Sequence, residues 1–180
     1  MHMKRTLFMF VISPLLLVGG LANFPAAAAP TKVAASSTIK WNDYNTGLNK
    51  ARQQKKFVLL QFYATWCGYC RKMDQTTFQD SSVKKVMDRW FVPIRVTEKS
   101  TNNVTYQGKT MQEDDLLPAY QVTGFPTLVF LDPDGQRLTK LPGYMGPAEF
   151  DTMLKYIGTR SYEKMDMDEF KKKFAKFLKQ

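Results

Sequence analysis

Cys67 and Cys70 are the only cysteines of this 180-residue chain, and they stand in Trp66-Cys67-Gly68-Tyr69-Cys70. Two thiols one helical turn apart can form and open a disulfide by exchange with other thiols. The nucleophile in that chemistry is the thiolate. The first cysteine of a C-x-x-C turn that opens a helix is favoured in that form by amide N–H groups and the helix dipole. Cys67 is therefore the expected attacking residue, and Cys70 the residue that resolves the mixed disulfide. Lowering a thiol pKa from ~8.5 to ~7 raises the thiolate fraction at neutral pH from a few per cent to about half, for about 2 kcal/mol. With no cysteine left over, no second disulfide can form within the chain.

Other uses of the pair fit less well. Beyond it, the chain's sole histidine is His2, too few donors for a structural zinc site, and no metal is expected. Covalent haem attachment wants histidine directly after the second cysteine, where Arg71 stands, and no cofactor is expected. An inert structural bridge remains open as the alternative.

The N-terminus bears on compartment. Lys4 and Arg5 precede an apolar run from Leu7 to about Leu21, and Ala26 to Ala29 follow, the three-part pattern of a secretory signal peptide. Cleavage after Ala28 puts Ala26 and Ala28 in the A-x-A positions, so residues 1–28 are read as the signal and the periplasm as the destination. The alternative is an uncleaved anchor, against which Pro14, Gly19, Gly20 and Asn23 weigh. Removing 1–28 takes away Lys4 and Arg5 and no acid, which lowers the net charge from +10 to +8. That charge favours acidic partners or anionic surfaces, but nothing in the sequence reads bases, and nucleic acid is not expected as a partner. About 150 residues remain, enough for one domain with one core.

The elements that position the cysteines follow from periodicity. Residues 29–40 are small and polar, a flexible lead-in. Trp41, Tyr44, Leu48 and Ala51 recur at helical spacing and predict a helix from Asn42 to about Gln54. Phe57 to Tyr63 is a nearly continuous apolar run, as in a strand covered on both faces, and the cysteines follow it directly. A helix from about Tyr69 to near Phe78 comes next, then a second one capped by Asp80 and carrying Val83, Val86, Met87 and Trp90. Phe91 to Val96 is a strand, Gln107-Gly108 the tip of a small hairpin in a polar insertion, and Glu113 to Tyr120 a short helix. Leu128 to Leu131 is a strand, the Asp132-Pro133-Asp134-Gly135 turn returns the chain antiparallel along Arg137 to Leu141, and Pro147 to Ile157 is a helix. This order predicts an α/β layer arrangement around a mixed sheet. In the tail, Asp166 and Glu169 form a capping-box pattern ahead of an apolar stripe of Phe170, Phe174, Phe177 and Leu178. Lysines cover its other sides, and the stripe either packs on its own domain or lies on anionic lipid.

Phe62 to Cys70, Gly124-Phe125-Pro126-Thr127 and Gly143 before the last core helix occur in an order that resembles the thioredoxin superfamily, over about residues 41–160. Within it, Thr105-Tyr106-Gln107-Gly108, Gly143-Tyr144 with Pro147, Glu149 and Phe150, and the tail with Tyr162 and Phe170 resemble the exported SoxW-like proteins. The resemblance implies a thioredoxin fold over 41–160, to which the tail pattern adds a C-terminal amphipathic helix over 161–180. It also implies a redox-active disulfide at Cys67 and Cys70, a cis bond before Pro126 opposite it, and a substrate groove bounded by Trp66, Gly68, Tyr69, Phe125 and Pro126. An extended substrate segment would pair with the Phe125 backbone.

Two residues modify that picture. Many thioredoxins have a buried Asp where this chain has Gln61, and an amide cannot act as a general base at neutral pH. The Cys70 proton must go elsewhere: to Glu98, if that residue is more than a solvated loop acid, or to a bound water. Gly68-Tyr69 matches the dipeptide of periplasmic disulfide isomerases, and a non-proline there restores an N–H near the sulfurs. Three functions compete: an exported monomeric reductase of protein disulfides fed by a membrane electron donor, an oxidase or isomerase, and a non-catalytic thioredoxin-fold binding protein.

Overall fold

The computed structural model describes residues 39–175. The expected signal peptide, the lead-in as far as residue 38, and Phe177 and Leu178 of the tail lie outside the described residues.

The first strand, β1 (Phe57–Tyr63), is buried along its length except at Tyr63. It pairs in parallel with β2 (Phe91–Thr97), Phe57 opposite Phe91 and Gln61 opposite Arg95. The hairpin β3 (Asn103–Tyr106) and β4 (Lys109–Gln112) forms a separate ribbon, while on the other side of β1 the strand β5 (Thr127–Leu131) runs antiparallel to it. Strand β6 (Arg137–Pro142) completes a mixed sheet of order β2-β1-β5-β6. Alternation along β1 explains its unbroken apolar run. Val58, Leu60 and Phe62 enter one core with Tyr44, Ile94 and Leu116, whereas Phe57 and Leu59 enter a second with Met73, Phe130 and Phe150.

Helix α1 (Tyr44–Gln54) covers the first core and begins two residues later than the spacing predicts. Asn42 is held out of it by an isolated bridge to Ile94, and Asp43 caps the helix by accepting from the Thr46 N–H at 2.9 Å. The opposite core is covered by α2 (Gly68–Gln75), α3 (Ser81–Trp90) and α5 (Pro147–Gly158). Helix α2 stops at Gln75 rather than near Phe78. The Thr76 hydroxyl bonds back to the Lys72 carbonyl and that of Thr77 to the Met145 carbonyl, each at 2.7 Å, and a 3₁₀ turn at Thr77–Gln79 swings Phe78 into the core. The predicted helix from Glu113 to Tyr120 is likewise split into a 3₁₀ turn at Glu113–Asp115 and α4 (Leu116–Ala119). Pro118, with no N–H, cannot donate back across that junction.

The tail forms a 3₁₀ turn at Ser161–Glu163 and α6 (Met167–Phe174), capped by Asp166 accepting from the Glu169 N–H at 2.7 Å. Phe170 is buried against Tyr156, ring centroids 5.2 Å apart, so this part of the stripe packs on its own domain. Among the described residues no helix is long and apolar enough to cross a membrane.

Candidate active site

The site lies where β1 runs into α2. Cys67 is the N-cap of α2, and its Sγ accepts the Cys70 N–H at 3.0 Å. The two sulfurs form a disulfide, with Cα atoms 5.3 Å apart. Cys67 retains 4% exposure and Cys70 none, so an incoming thiol or disulfide meets Cys67 first. Against the pair packs Phe125, and the Phe125–Pro126 peptide is cis. The β5–β6 ladder begins only at Thr127, opposite Pro142, which leaves the Phe125 backbone outside it.

Aromatic side chains surround this opening. Trp66 and Tyr69, 64% and 62% exposed, are the large hydrophobic residues left open among those described. Trp66 stands edge-on to Phe125 with centroids 5.8 Å apart, and its Nε1 donates to Glu98 Oε2 at 2.6 Å. Tyr69 lies 6.1 Å from Tyr144, whose ring carries the Lys72 ammonium 4.7 Å from its centroid. A hydrogen bond with the Thr76 hydroxyl and the nearby Lys72 charge hold the Tyr144 phenol below the ordinary tyrosine range.

Beneath the motif sits a polar cluster. Gln61 is fully buried; its Oε1 accepts from Arg95 Nε at 2.9 Å and its Nε2 has no partner. The Arg95 guanidinium is 4.2 Å from the Trp41 ring centroid and 4.6 Å from that of Tyr63, and it forms a short ion pair with Asp74.

The thioredoxin-like domain profile matches residues 44–158. The chain belongs to the thioredoxin-like domain family. Among its relatives, the thiol:disulfide interchange protein DsbD of Colwellia psychrerythraea is 34% identical over 115 residues, which is 61% of this chain but 17% of that protein. The disulfide bond reductase DsbH of Chlamydia pneumoniae is 29% identical over 112 residues, 62% of this chain and 67% of that protein. A solved structure described as DsbH oxidoreductase superposes with a TM-score of 0.58 at 25% identity, covering 76% of this chain and 95% of the other. The match to DsbD thus spans about a fifth or less of that protein's length.

Of the residues singled out in the sequence, Cys67, Cys70, Trp66, Gly68, Tyr69, Phe125 and Pro126 all fall at this one end of the sheet, where β1 meets α2 and β5 begins. Glu98 is also there, but as the acceptor for the Trp66 indole. Sequence reasoning missed Arg95, Asp74 and Lys72. Arg95 carried a faint signal, a charge inside an otherwise apolar strand, which in a half-covered sheet has to reach a partner. Among the described residues no group of His, Cys, Asp and Glu could hold a metal ion.

Proposed function

We propose that this chain is an exported thiol-disulfide oxidoreductase that works as a reductase of particular periplasmic protein disulfides. The observation that carries the reading is Cys67 at the helix N-cap with its sulfur already accepting the Cys70 N–H, a geometry that stabilises a thiolate at the rim while Cys70 stays sealed behind it. In the reduced protein the Cys67 thiolate attacks a substrate disulfide, and the first substrate sulfur leaves as thiolate. Cys70 then attacks Cys67 Sγ, which closes the Cys67–Cys70 bond and releases the second substrate sulfur. Two electrons pass to the substrate, whose two departing thiolates take up protons from solvent in place of those the cysteines have released there.

Trp66, Gly68, Tyr69, Phe125 and Pro126 form the substrate groove in this reading, with the Phe125 backbone free of the sheet to pair with an extended segment. The reductase direction is supported by the name of the Chlamydia pneumoniae relative, a disulfide bond reductase. The N-terminal pattern supports export, and a membrane protein supplies electrons to re-reduce the pair of a monomeric enzyme. The hairpin and tail residues also resemble those of SoxW-like proteins. The oxidase or isomerase alternative draws on Gly68-Tyr69.

Expression of Cys70→Ser in the native compartment tests the proposal, because Cys67 still attacks but nothing within the chain releases the adduct. A reductase captures a small set of partners in DTT-sensitive complexes, and the wild-type pair is found mainly reduced in intact cells. Many unrelated secreted proteins with a mainly oxidised pair indicate folding catalysis. A total lack of adducts indicates a binding protein.

A further inference from the structure

Gln61 is a buried polar side chain that the reaction described above does not use. Its amide is oriented: Arg95 Nε donates to Oε1 at 2.9 Å, which makes the opposite end of the group the NH₂. That NH₂ is fully buried and has no acceptor. Such a donor is expensive to bury unpaired, and here it is held in place. Arg95 lies between the Trp41 and Tyr63 rings and is tied to Asp74. Alternation along β1 and β2 turns Gln61 and Arg95 to the face that α2 covers, since their neighbours Val58, Leu60, Phe62, Ile94 and Val96 fill the opposite core. Asp74 follows Cys70 by one turn of α2 and so shares its helix face. The free amide, its clamp and the sealed cysteine therefore occupy the same layer between β1, β2 and α2.

We infer that Gln61 Nε2 donates to the Cys70 sulfur when the disulfide is open, with Arg95 and Asp74 as the positioning residues that aim it. The inference rests on the redox reading of the pair. A buried thiol is ordinarily harder to ionise, and the carboxylate that could take its proton is absent at position 61. A fixed N–H solves the problem by another route, stabilising the thiolate product rather than accepting the proton. Cys70 releases its proton to solvent, its thiolate attacks Cys67 Sγ, the new S–S bond forms as the mixed disulfide breaks, and the departing substrate thiolate takes up a proton in turn.

The test uses the full chain carrying Cys67→Ser, so that Cys70 is the sole thiol, and follows thiolate absorbance against pH. Gln61→Leu in that background is expected to move the Cys70 titration up by about one pH unit, equivalent to about a tenfold loss of thiolate at pH values below the titration. Arg95→Lys, which keeps the charge but not the fork that grips both partners, is expected to shift it in the same direction by less. With both cysteines present, Gln61→Leu should slow release of a preformed mixed disulfide about tenfold while leaving alkylation of Cys67 unchanged. An unaltered Cys70 titration in folded Gln61→Leu overturns the inference; if that variant does not fold, an unaltered titration in Arg95→Lys does so. Failure of the wild-type chain to reduce any protein disulfide would instead remove the reductase reading and leave the Cys70 titration to be read independently.

Discussion

The Trp66 indole donates to Glu98 across 2.6 Å, joining the residue beside Cys67 to the end of β2. Glu98, which the sequence offered as a proton acceptor, a solvated loop acid or a site bypassed by water, is thus bonded to the aromatic rim, and its N–H is bonded to the Tyr63 carbonyl at 2.8 Å. Glu98→Gln retains an acceptor for the indole and should leave disulfide exchange within about twofold of wild type. A general base at this position would cost about a hundredfold when neutralised, so stopped-flow exchange with a small disulfide separates the two roles.

Cys67 accepts an amide N–H at the rim, whereas Cys70 is completely covered. Iodoacetamide applied to the reduced protein across pH should therefore label Cys67 well before Cys70, with a Cys67 midpoint below the ordinary thiol value of about 8.5. Peptide mapping of the alkylated sites reads the order directly, and equal labelling would remove the assignment of attacker and resolver.

Tyr44 and Tyr120 bring their hydroxyls to 2.8 Å in the first core, and burial holds both phenols above the ordinary tyrosine range. The folded state thus keeps these protons where the unfolded chain would release them. Stability should be insensitive to these groups up to about pH 10 and fall as pH rises beyond it, because the unfolded state then binds fewer protons. Urea unfolding at neutral and alkaline pH should show that fall, and Tyr44→Phe should make it shallower.

Gly158 ends α5 against Trp90, where an added Cβ would lie 2.7 Å from ring atom Cδ2. On helix propensity alone Gly158→Ala gains about 0.5–1 kcal/mol. Overpacking against a rigid ring reverses the sign, and a net loss of about 1–3 kcal/mol is expected in denaturant unfolding. A stabilised variant would mean that the Trp90 ring moves freely.

Strand β1 was legible because a run of seven residues, apolar but for Gln61, announces a strand covered on both faces, and the observed strand has the same ends, Phe57 and Tyr63. Asp80 and Asp166 were legible as caps for the same local reason: a carboxylate two or three residues before free N–H groups needs no tertiary partner. The end of α2 was not legible. The Thr76 bond to the Lys72 carbonyl is local but compatible with helix, whereas Thr77, at the 3₁₀ turn that follows, bonds the Met145 carbonyl 68 residues away.

By itself the sequence determined the chemistry and the local elements: a lone pair of thiols at one helical turn, the apolar run that delivers them, the turn at Asp132 to Gly135, and the periodicity of the helices that flank the sheet. These are short-range matters, settled by dihedral preference and by the spacing of side chains along a single element. Only the tertiary structure decided which distant side chains meet on the face of the sheet that α2 covers. Gln61 meets Arg95 across 34 residues because parallel strands set them side by side, and Arg95 reaches Asp74 because α2 packs on that face of the sheet. Register and packing depend on the fit of two whole cores, and that fit brings three scattered polar residues together, Gln61 fully buried and Arg95 and Asp74 partly so.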